Sequence, residues 1–468
     1  MKTKKLVTAA IVSAIAARSF ASGFALYQPS AVSHAMGGAL VGKAMDASAN
    51  FNNPATLTDL TNITVSVGFV TEHPRGRVDA RMRGSSYHEY KMDPGLFWLP
   101  HVQLAVPLPF DFAFGLGIGA DYGLGSKYHK KWLMDWSATE TTIEGLVINP
   151  NLAYKITDKW SVGAGLRWLF FDFEQYSYPQ VPMNGVELAR FKNHITGDND
   201  FKDFGWQIGT KYDITDTFSV GVVYKSEIDV KVRGRSRNRV VRENNAGIRQ
   251  LATAKTYQTM MESGYTPAQI AMIPAAVKER YISTADATIR SSVSSEARKR
   301  TGRGGCDLSL PQSIAGGFNW DVYPTWHIGA MVSWTQWGEF GNLYFDLPPD
   351  GKEGDRDIKM DWRDTWRFSI GSCWDFAEDW RWMVSYTYDL DSTRSTQQSV
   401  MLPPANRHIL GTGFTWNCWG GFELALSYAC IFMDGRDMHM DDALGNTYDL
   451  ETDWGFCHAG GFSVTYRF

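Results

Sequence analysis

The chain ends on the stretch GGFSVTYRF, residues Gly460–Phe468, in which apolar and polar side chains alternate up to a terminal aromatic residue. Successive side chains of a β-strand point to opposite faces. One face of this strand would carry Phe462, Val464, Tyr466 and Phe468. The other face would carry Ser463, Thr465 and Arg467. An apolar, aromatic outside and a polar inside are typical of a strand between lipid and a wet lumen. The stretch therefore predicts the closing strand of an outer-membrane β-barrel.

The same alternation recurs along the chain. It is clearest near residues 218–225, 326–334, 380–388 and 422–429. Tight turns also alternate with long polar connections, which lie near residues 71–96, 122–140, 175–203, 234–307, 338–361, 391–404 and 434–453. Outer-membrane barrels join their strands by short periplasmic turns and long extracellular loops. The pattern therefore predicts an all-β, antiparallel transmembrane β-barrel of about fourteen strands rather than a soluble sandwich.

The N-terminus has the three parts of a secretory signal peptide. Lys2, Lys4 and Lys5 precede an apolar stretch over residues 6–17, and Ser19-Phe20-Ala21 offers a cleavage site. The apolar stretch is short for a transmembrane helix. We therefore expect a cleaved signal peptide over residues 1–21 and export to the bacterial outer membrane.

Composition and motifs exclude several classes of function. The formal net charge of −4 gives no reason to expect a nucleic-acid partner. The five cysteines form no CxxC pair and no metal-ligand spacing, so we expect no metal and no cofactor. No HExxH, GxSxG or P-loop motif is present, and we expect that the protein is not an enzyme.

Two regions do not read as strands, and the first is residues 22–60. Its scattered glycines, its apolar side chains and the motif Asn53-Pro54-Ala55 fit a plug, or hatch, inside the lumen. The alternative is a disordered periplasmic tail, which so many apolar residues disfavour. The predicted division is therefore a signal peptide (1–21), a hatch (22–60) and a barrel (61–468).

The second region is a long extracellular loop over about residues 234–307. It opens with a basic run between Lys231 and Arg242, which could pair with lipopolysaccharide phosphates or be a solvated loop. Short helices separated by Pro267 and Pro274 are expected from about Ile248 to Tyr281. Apolar residues there could capture an oily ligand or pack the loop onto the barrel rim. They are Met260, Met261, Ile270, Met272 and Ile273.

Several segments, taken in order, resemble the FadL family of outer-membrane long-chain fatty-acid transporters, which includes related aromatic-hydrocarbon channels. The mature start Ser22-Gly23-Phe24 and the Asn53-Pro54-Ala55 motif are similar to the family's beginning and hatch. The segment from Trp362 to Arg367 resembles its Trp-Lys/Arg-Asp-Thr-aromatic-Arg element. Pro404 and Asn406 depart from the acidic residues usual in another element of the family.

The resemblance implies a monomeric barrel of fourteen strands with a hatch in its lumen. It also implies ligand capture outside, an inner pocket and a sideways exit through an inward kink in the third strand. Gly115, Gly117 and Gly119 fall on the inner face of that strand. They could permit the kink or make room for the hatch.

A fatty acid needs an apolar pocket for its tail and a cation for its carboxylate. Strand phase places five candidate cations on inner faces: Arg167, Lys225, Arg367, Arg381 and Arg407. Each could instead form a structural ion pair with residues such as Asp364 or Glu423. Phe24 could enter the pocket and contact the tail, or anchor the hatch.

We therefore expect a passive, ligand-gated transporter of hydrophobic compounds, with long-chain fatty acids as the first candidate. An aromatic-hydrocarbon channel of the same family is the alternative. A general porin and an outer-membrane lipid-acting enzyme are alternatives of other classes. The expected partners are the hydrophobic ligand, outer-membrane lipid and lipopolysaccharide. The sequence does not choose the ligand or the cation that holds it.

Overall fold

The computed structural model describes residues 23–92, 95–129, 131–199, 202–340, 342–346, 356–359, 361–394, 400, 405–452 and 455–468. The predicted signal peptide, residues 1–21, lies outside them. Strands dominate the described residues. All five cysteines are free thiols.

Within the described residues, fourteen antiparallel strands form a closed barrel. They are β1 (Thr64–Arg75), β2 (Phe97–Pro107), β3 (Phe112–Lys127), β4 (Glu140–Thr157), β5 (Trp160–Ser177), β6 (Phe204–Thr215), β7 (Phe218–Lys225), β8 (Ser313–Tyr323), β9 (Trp326–Thr335), β10 (Thr365–Ala377), β11 (Trp380–Asp389), β12 (Arg407–Asn417), β13 (Phe422–Met433) and β14 (Gly455–Arg467). Each strand pairs with the next, and β14 pairs with β1 from Thr64↔Arg467 to Arg75↔Phe456. The predicted barrel, strand number and closing strand are confirmed.

Burial alternates along the strands as the sequence predicts. In β14, Ser463 and Thr465 are buried, whereas Val464 and Tyr466 on the other face are partly exposed. The exposed face of the barrel carries large apolar and aromatic side chains, including Trp168, Trp206 and Trp374. The alternation therefore separates a lipid-facing surface from the lumen.

The connections differ at the two ends of the barrel. At one end, turns of two to four residues lie at 108–111, 158–159, 216–217, 324–325, 378–379 and 418–421. At the other end, the connections are long: 76–96, 128–139, 178–203, 226–312, 336–364, 390–406 and 434–454. We assign the end with short turns to the periplasm and the other to the cell exterior.

The exterior connections contain further strands. Six extend the barrel wall: Gln180–Met183, Val186–Asn199, Ile228–Glu243, Gly302–Leu310, Asn342–Asp346 and Arg356–Lys359. Four form a separate sheet: Arg77–Met82, His88–Lys91, Arg436–Asp441 and Thr447–Thr452. The expectation that residues 234–307 hold no strand is therefore wrong. The basic run lies in Ile228–Glu243, where buried Val230 and Val232 alternate with exposed cations.

The helices of the described residues are α1 (Ala31–Ala35), α2 (Ala49–Asn52), α3 (Asn245–Glu262), α4 (Pro267–Met272) and α5 (Ala275–Lys299), with 3₁₀ helices at Pro54–Asp59 and Trp337–Phe340. None combines the length and apolar character needed to cross a membrane. The helical part of the exterior loop is longer than predicted. Asn244 caps α3 through the backbone N–H of Gly247, and α5 continues to Lys299 instead of ending near Tyr281.

The N-terminal segment, residues 23–60, contacts the inward side chains of strands around the barrel. Ser463 on β14 accepts a hydrogen bond from the Ala31 N–H (3.0 Å), and Gln207 on β6 donates to the Asn50 carbonyl (2.7 Å). The Asn53 side-chain amide donates to the Thr210 carbonyl on β6 (3.0 Å). These contacts satisfy backbone groups that would otherwise be buried without partners.

Candidate ligand pocket

Phe24 lies in a cage of aromatic side chains. Its side chain is 0% exposed. The centroid of its ring is 5.0 Å from that of Trp337, 5.2 Å from Phe340, 6.0 Å from Tyr122 and 6.3 Å from Trp362. The preceding Gly23 has a φ of +60°, and a Cβ atom there would overlap the Trp337 ring. Glycine at this position therefore lets the chain bring Phe24 into the cage.

The Phe24 ring forms one wall of an apolar pocket on the inner side of the exterior rim. Its volume is about 40 Å³. The side chains around it include Ile143, Phe171, Phe173, Ile195, Val232, Leu308 and Phe340. Ligand pockets usually measure about 300–1,000 Å³. The pocket is therefore too small for such a ligand in this structure, and Phe24 is one of the groups that line it.

The chain around Phe24 also pairs with the backbone of β3. The Leu26 N–H donates to the Asp121 carbonyl and the Gly123 N–H donates to the Phe24 carbonyl, both at 2.8 Å. Ala25 and Tyr122 form an antiparallel bridge. Residues 24–26 therefore act as a short strand along one edge of β3.

This edge is where the barrel wall is irregular. The pairing of β2 with β3 extends from Pro107↔Ala113 only to Val102↔Ile118. The pairing of β3 with β4 continues to Lys127↔Glu140, with a register shift between Ala120 and Tyr122. The exterior half of β3 thus follows β4 and residues 24–26 instead of β2.

The three predicted kink glycines precede this irregularity and face the N-terminal segment. A Cβ atom on Gly115 would overlap the Asn50 side chain, and one on Gly117 would lie 2.5 Å from the Phe51 ring. A Cβ atom on Gly119 would have an ordinary contact at 3.7 Å with the same ring. These contacts favour close approach of the N-terminal segment, rather than bending, as the reason for the first two glycines.

The hatch motif is held by its own asparagine. The Asn53 side chain accepts a hydrogen bond from the Ala55 N–H (3.0 Å) and donates to the carbonyls of Val41 (2.7 Å) and Thr210. Pro54 occupies the first turn of the 3₁₀ helix, where a missing N–H costs nothing. The motif therefore joins two parts of the N-terminal segment to the wall at β6.

All five predicted cations lie near an inward carboxylate. The Arg167 guanidinium donates to Asp121 (3.0 Å), and the Lys225 ammonium lies 3.9 Å from the same carboxylate. Arg381 pairs with Asp375 at 2.6 Å. Arg367 and Arg407 share Asp389 at 3.5 and 4.0 Å.

The geometry therefore favours structural ion pairs, and those of Arg367, Arg381 and Arg407 join adjacent strands instead of crossing the lumen. The partners suggested from the sequence are wrong. Glu423 pairs with Arg467 at 3.2 Å, and Asp364 accepts from the Gly338 N–H at 3.0 Å. Arg167 contacts the cage, because its guanidinium donates to the Tyr122 hydroxyl (3.2 Å) and the Tyr122 ring contacts Phe24. Lys225 is linked to this group through Asp121, the carboxylate that it shares with Arg167.

A second cavity lies among the helices of the exterior loop. It measures about 480 Å³, and Met260, Tyr265, Ile273, Val277 and Tyr281 are among the side chains that line it. The ion pair between Arg249 and Glu279 links α3 to α5, and it lowers the pKa of the Glu279 carboxyl.

The structure divides the predicted apolar patch of this loop. Met260 and Ile273 line the cavity, Ile270 is buried, and Met261 and Met272 are exposed at 49% and 85%. Other residues pack the helices onto the rim. They include Leu188 and Phe191 of the wall, with Ile248, Leu251, Ile289 and Val293 of the helices.

Sequence reasoning missed most of the aromatic cage. Trp362 belongs to the segment from Trp362 to Arg367 that carries the family resemblance, which was a usable signal. Tyr122 and Phe340 carried no such signal, because their role depends on contact with the Phe24 ring, which lies far from both residues in the sequence.

A closed antiparallel barrel with a lipid-facing apolar surface, an occupied lumen and an inner pocket defines an outer-membrane transport channel. The family model described as outer membrane protein transport protein (OMPP1/FadL/TodX) matches residues 12–468. The chain therefore belongs to this family, whose members are channels of the outer membrane and not enzymes.

Similar proteins agree with this placement. The long-chain fatty acid transport protein of Escherichia coli O6:H1 is 22% identical over an alignment of 476 residues, gaps included, that covers 96% of this chain and 95% of the relative. A Pseudomonas aeruginosa FadL homologue has a similar structure, with a TM-score of 0.73 and 18% identity over 95% of this chain and 99% of its own. The Ralstonia pickettii toluene transporter TbuX has a TM-score of 0.61 and 14% identity, over 96% of this chain and 99% of its own. At these identities the structural likeness establishes the fold alone.

Proposed function

We propose that this channel takes up hydrophobic compounds, first of all long-chain fatty acids, by passive, ligand-gated diffusion. The observation that carries the proposal is the position of Phe24. Its ring forms one wall of a small apolar pocket, and its backbone pairs with the edge of β3 beyond the point where the pairing with β2 ends. One movement of residues 23–26 would therefore enlarge the pocket and free this edge.

The N-terminal segment is the hatch in this proposal. A ligand can shift it only by binding the displaced state more tightly than the seated one. Displacement of the Phe24 ring would let an apolar tail take the place of buried aromatic surface. Each methylene group buried there contributes about 0.8 kcal/mol.

Lateral exit follows from the same geometry. The pairing of β3 with β2 ends at Ile118, and on that side the exterior half of β3 pairs with residues 24–26 instead. Release of these residues would leave a gap in the wall next to lipid. An oily molecule that leaves through this gap avoids transfer through water.

Lys225 is the cation that we assign to a ligand carboxylate. Its ammonium lies 3.9 Å from Asp121, which is beyond hydrogen-bond distance, whereas the Arg167 guanidinium already donates to Asp121, Tyr122 and the Ser226 carbonyl. A carboxylate could therefore bind Lys225 without breaking a short ion pair.

The cavity among α3–α5 is our candidate for first capture. It lies within the helical part of the exterior loop, and its lining includes apolar and aromatic side chains such as Met260 and Tyr281. Methionine adapts to ligands of varied shape. We further propose that the channel works as a monomer in contact with outer-membrane lipid and lipopolysaccharide.

An aromatic-hydrocarbon channel is the second candidate, and the ring-lined cage around Phe24 favours it. Uptake of radiolabelled oleate and of toluene should be compared between cells that carry this chain and cells that carry an empty vector. Faster uptake of oleate supports the fatty-acid transporter, and faster uptake of toluene alone supports the second candidate. Equal uptake of both compounds in the two strains would reject hydrophobic transport.

A further inference from the structure

The outer face of the exterior wall carries a cluster of arginine and lysine side chains. In the strand Ile228–Glu243, the odd-numbered side chains from Lys231 to Arg239 are exposed, whereas Val230, Val232 and Ser236 are buried. Phe191 and Val240 lie on the inner face of the wall. They pack against the apolar side chains of α3 and α5, such as Ile248 and Ile289. The helices therefore leave the outer face of this strand uncovered.

Strand register places like charges opposite one another on this face. Arg235 faces Arg303 on one neighbouring strand, and Arg239 faces Lys192 on the other. Arg237 faces His194. Directly opposed residues have Cβ atoms about 5 Å apart, and like charges at that spacing destabilise a sheet. We call Lys192, Arg235, Arg237, Arg239 and Arg303 the basic surface.

Carboxylates of the described residues lie beside one end of the basic surface, at Arg235. No salt bridge within the described part of the chain involves Arg235, Arg237, Arg239 or Arg303. Asp198 is the nearest carboxylate by register, because it faces Arg233 and lies diagonally from Arg235. It lines a cavity on this face with Glu144, Asp172 and Glu174, beside Arg233 and Arg235. Glu174 is already bound by the His194 imidazole (2.7 Å) and the Tyr176 hydroxyl (3.0 Å). The surface therefore has several guanidinium groups available for an external anion.

The height of the basic surface above the membrane limits which anion can reach it. The last outward rings on β5 before the charged residues Asp172 and Glu174 are those of Trp168 and Phe170, and we take them as the lipid boundary. The register across the wall places Arg235 and Arg237 level with Glu174 and Tyr176, which are four to six residues beyond Phe170. For a strand tilted by about 40° this is roughly 10–15 Å above the boundary. Phospholipid headgroups lie lower than this.

We propose that the basic surface binds the phosphate groups on the core sugars of lipopolysaccharide. The core sugars project outward from the lipid anchor and bear phosphates at this height. Guanidinium groups bind phosphate through paired, charge-assisted hydrogen bonds. The proposal rests on the outer-membrane location and is independent of the transported ligand.

The test measures binding of purified, detergent-solubilised protein to three glycolipids: lipopolysaccharide with a phosphorylated core, the same molecule after dephosphorylation, and lipid A alone. The variant Arg237→Gln/Arg239→Gln is compared with the control Lys255→Gln/Arg280→Gln, which removes two exposed cations from α3 and α5. Heat-modifiable migration on gels confirms that both variants are folded.

We expect the wall variant to bind the phosphorylated lipopolysaccharide about tenfold more weakly than the native chain, with a loss that shrinks as salt rises. The control should bind as the native chain does. The wall variant and the native chain should bind dephosphorylated lipopolysaccharide equally weakly, and they should also bind lipid A equally weakly. Equal binding of the wall variant and the native chain, or the same loss with lipid A alone, would overturn the proposal.

Discussion

Ala25 lies opposite Tyr122 across a short antiparallel bridge, immediately after the register shift in β3. The flanking hydrogen bonds join Leu26 to Asp121 and Gly123 to Phe24, so the bridged residues themselves are a non-hydrogen-bonded pair. The Cα atoms of such pairs are about 4.5 Å apart, which suits a disulfide.

This pairing allows the hatch to be fixed chemically. In the variant Ala25→Cys/Tyr122→Cys, we expect an oxidised disulfide to hold residues 24–26 on β3 and to reduce oleate uptake to the level of the empty vector. A reductant should restore uptake. Each single-cysteine variant serves as a control for the native thiols and for loss of the tyrosine ring. Undiminished uptake by fully cross-linked protein would show that these residues do not move.

Phe24→Ala should open the inner pocket. The substitution removes the ring that fills the aromatic cage, so we expect initial uptake of oleate to rise severalfold per folded molecule. The matched control is Phe51→Ala, which truncates a buried ring of the same segment that does not line the pocket. Both changes should cost about 3–5 kcal/mol of stability, so folded protein must be quantified. An equal effect of both variants on uptake would argue against a gate at Phe24.

Lys225→Gln should separate the two candidate ligands. Loss of a charged hydrogen bond to a carboxylate costs about 1.5–3 kcal/mol, so we expect the concentration for half-maximal oleate uptake to rise at least about tenfold. Toluene has no carboxylate, and its uptake should not change. Arg381→Gln is the control, because its guanidinium is already paired with Asp375 at 2.6 Å. A similar loss for both ligands would assign Lys225 a structural role.

The kink glycines should differ in their tolerance of a methyl group. Gly117→Ala would place its Cβ atom 2.5 Å from the Phe51 ring, whereas Gly119→Ala would have only an ordinary contact at 3.7 Å. We expect the first variant to lose about 1–3 kcal/mol of stability and to expose residues 23–60 to limited proteolysis. The second should resemble the native chain in both assays. If the order were reversed, strand bending would be the better explanation of these glycines.

The helical cavity can be tested with two pairs of polar substitutions. Met260→Ser/Ile273→Ser changes its lining, whereas Met261→Ser/Met272→Ser changes exposed neighbours on the same helices. The first variant should slow oleate uptake at low ligand concentration and leave the maximal rate unchanged, because capture limits transport only when ligand is scarce. Identical behaviour of the two variants would remove the cavity from the capture step.

The barrel wall was predictable because its signal is local. Alternation along a strand such as Gly460–Phe468 decides which face meets lipid, and the lengths of the connections decide which end faces the periplasm. The basic run was misread as a loop although Val230 and Val232 alternate with Lys231 and Arg233, the pattern of a strand. Its high charge concealed that pattern, because the outer face of this strand lies above the lipid.

The pocket was less predictable because distant residues form it. Phe24, Trp337 and Trp362 meet only after the barrel has closed, and no spacing in the chain encodes their contact. The same holds for the ion pairs: strand phase gave the inward direction of Arg167 and Arg407, but not the identity of Asp121 and Asp389 as partners.

The sequence by itself therefore determined the membrane, the barrel and the inward face of each strand, since each follows from the direction of neighbouring side chains. Only the tertiary structure decided that Phe24 lines the pocket, that Lys225 lies 3.9 Å from Asp121, and that β3 pairs with residues 24–26. These features depend on the register between strands and on the path of the N-terminal segment through the lumen. Both are set by packing between residues far apart in the chain.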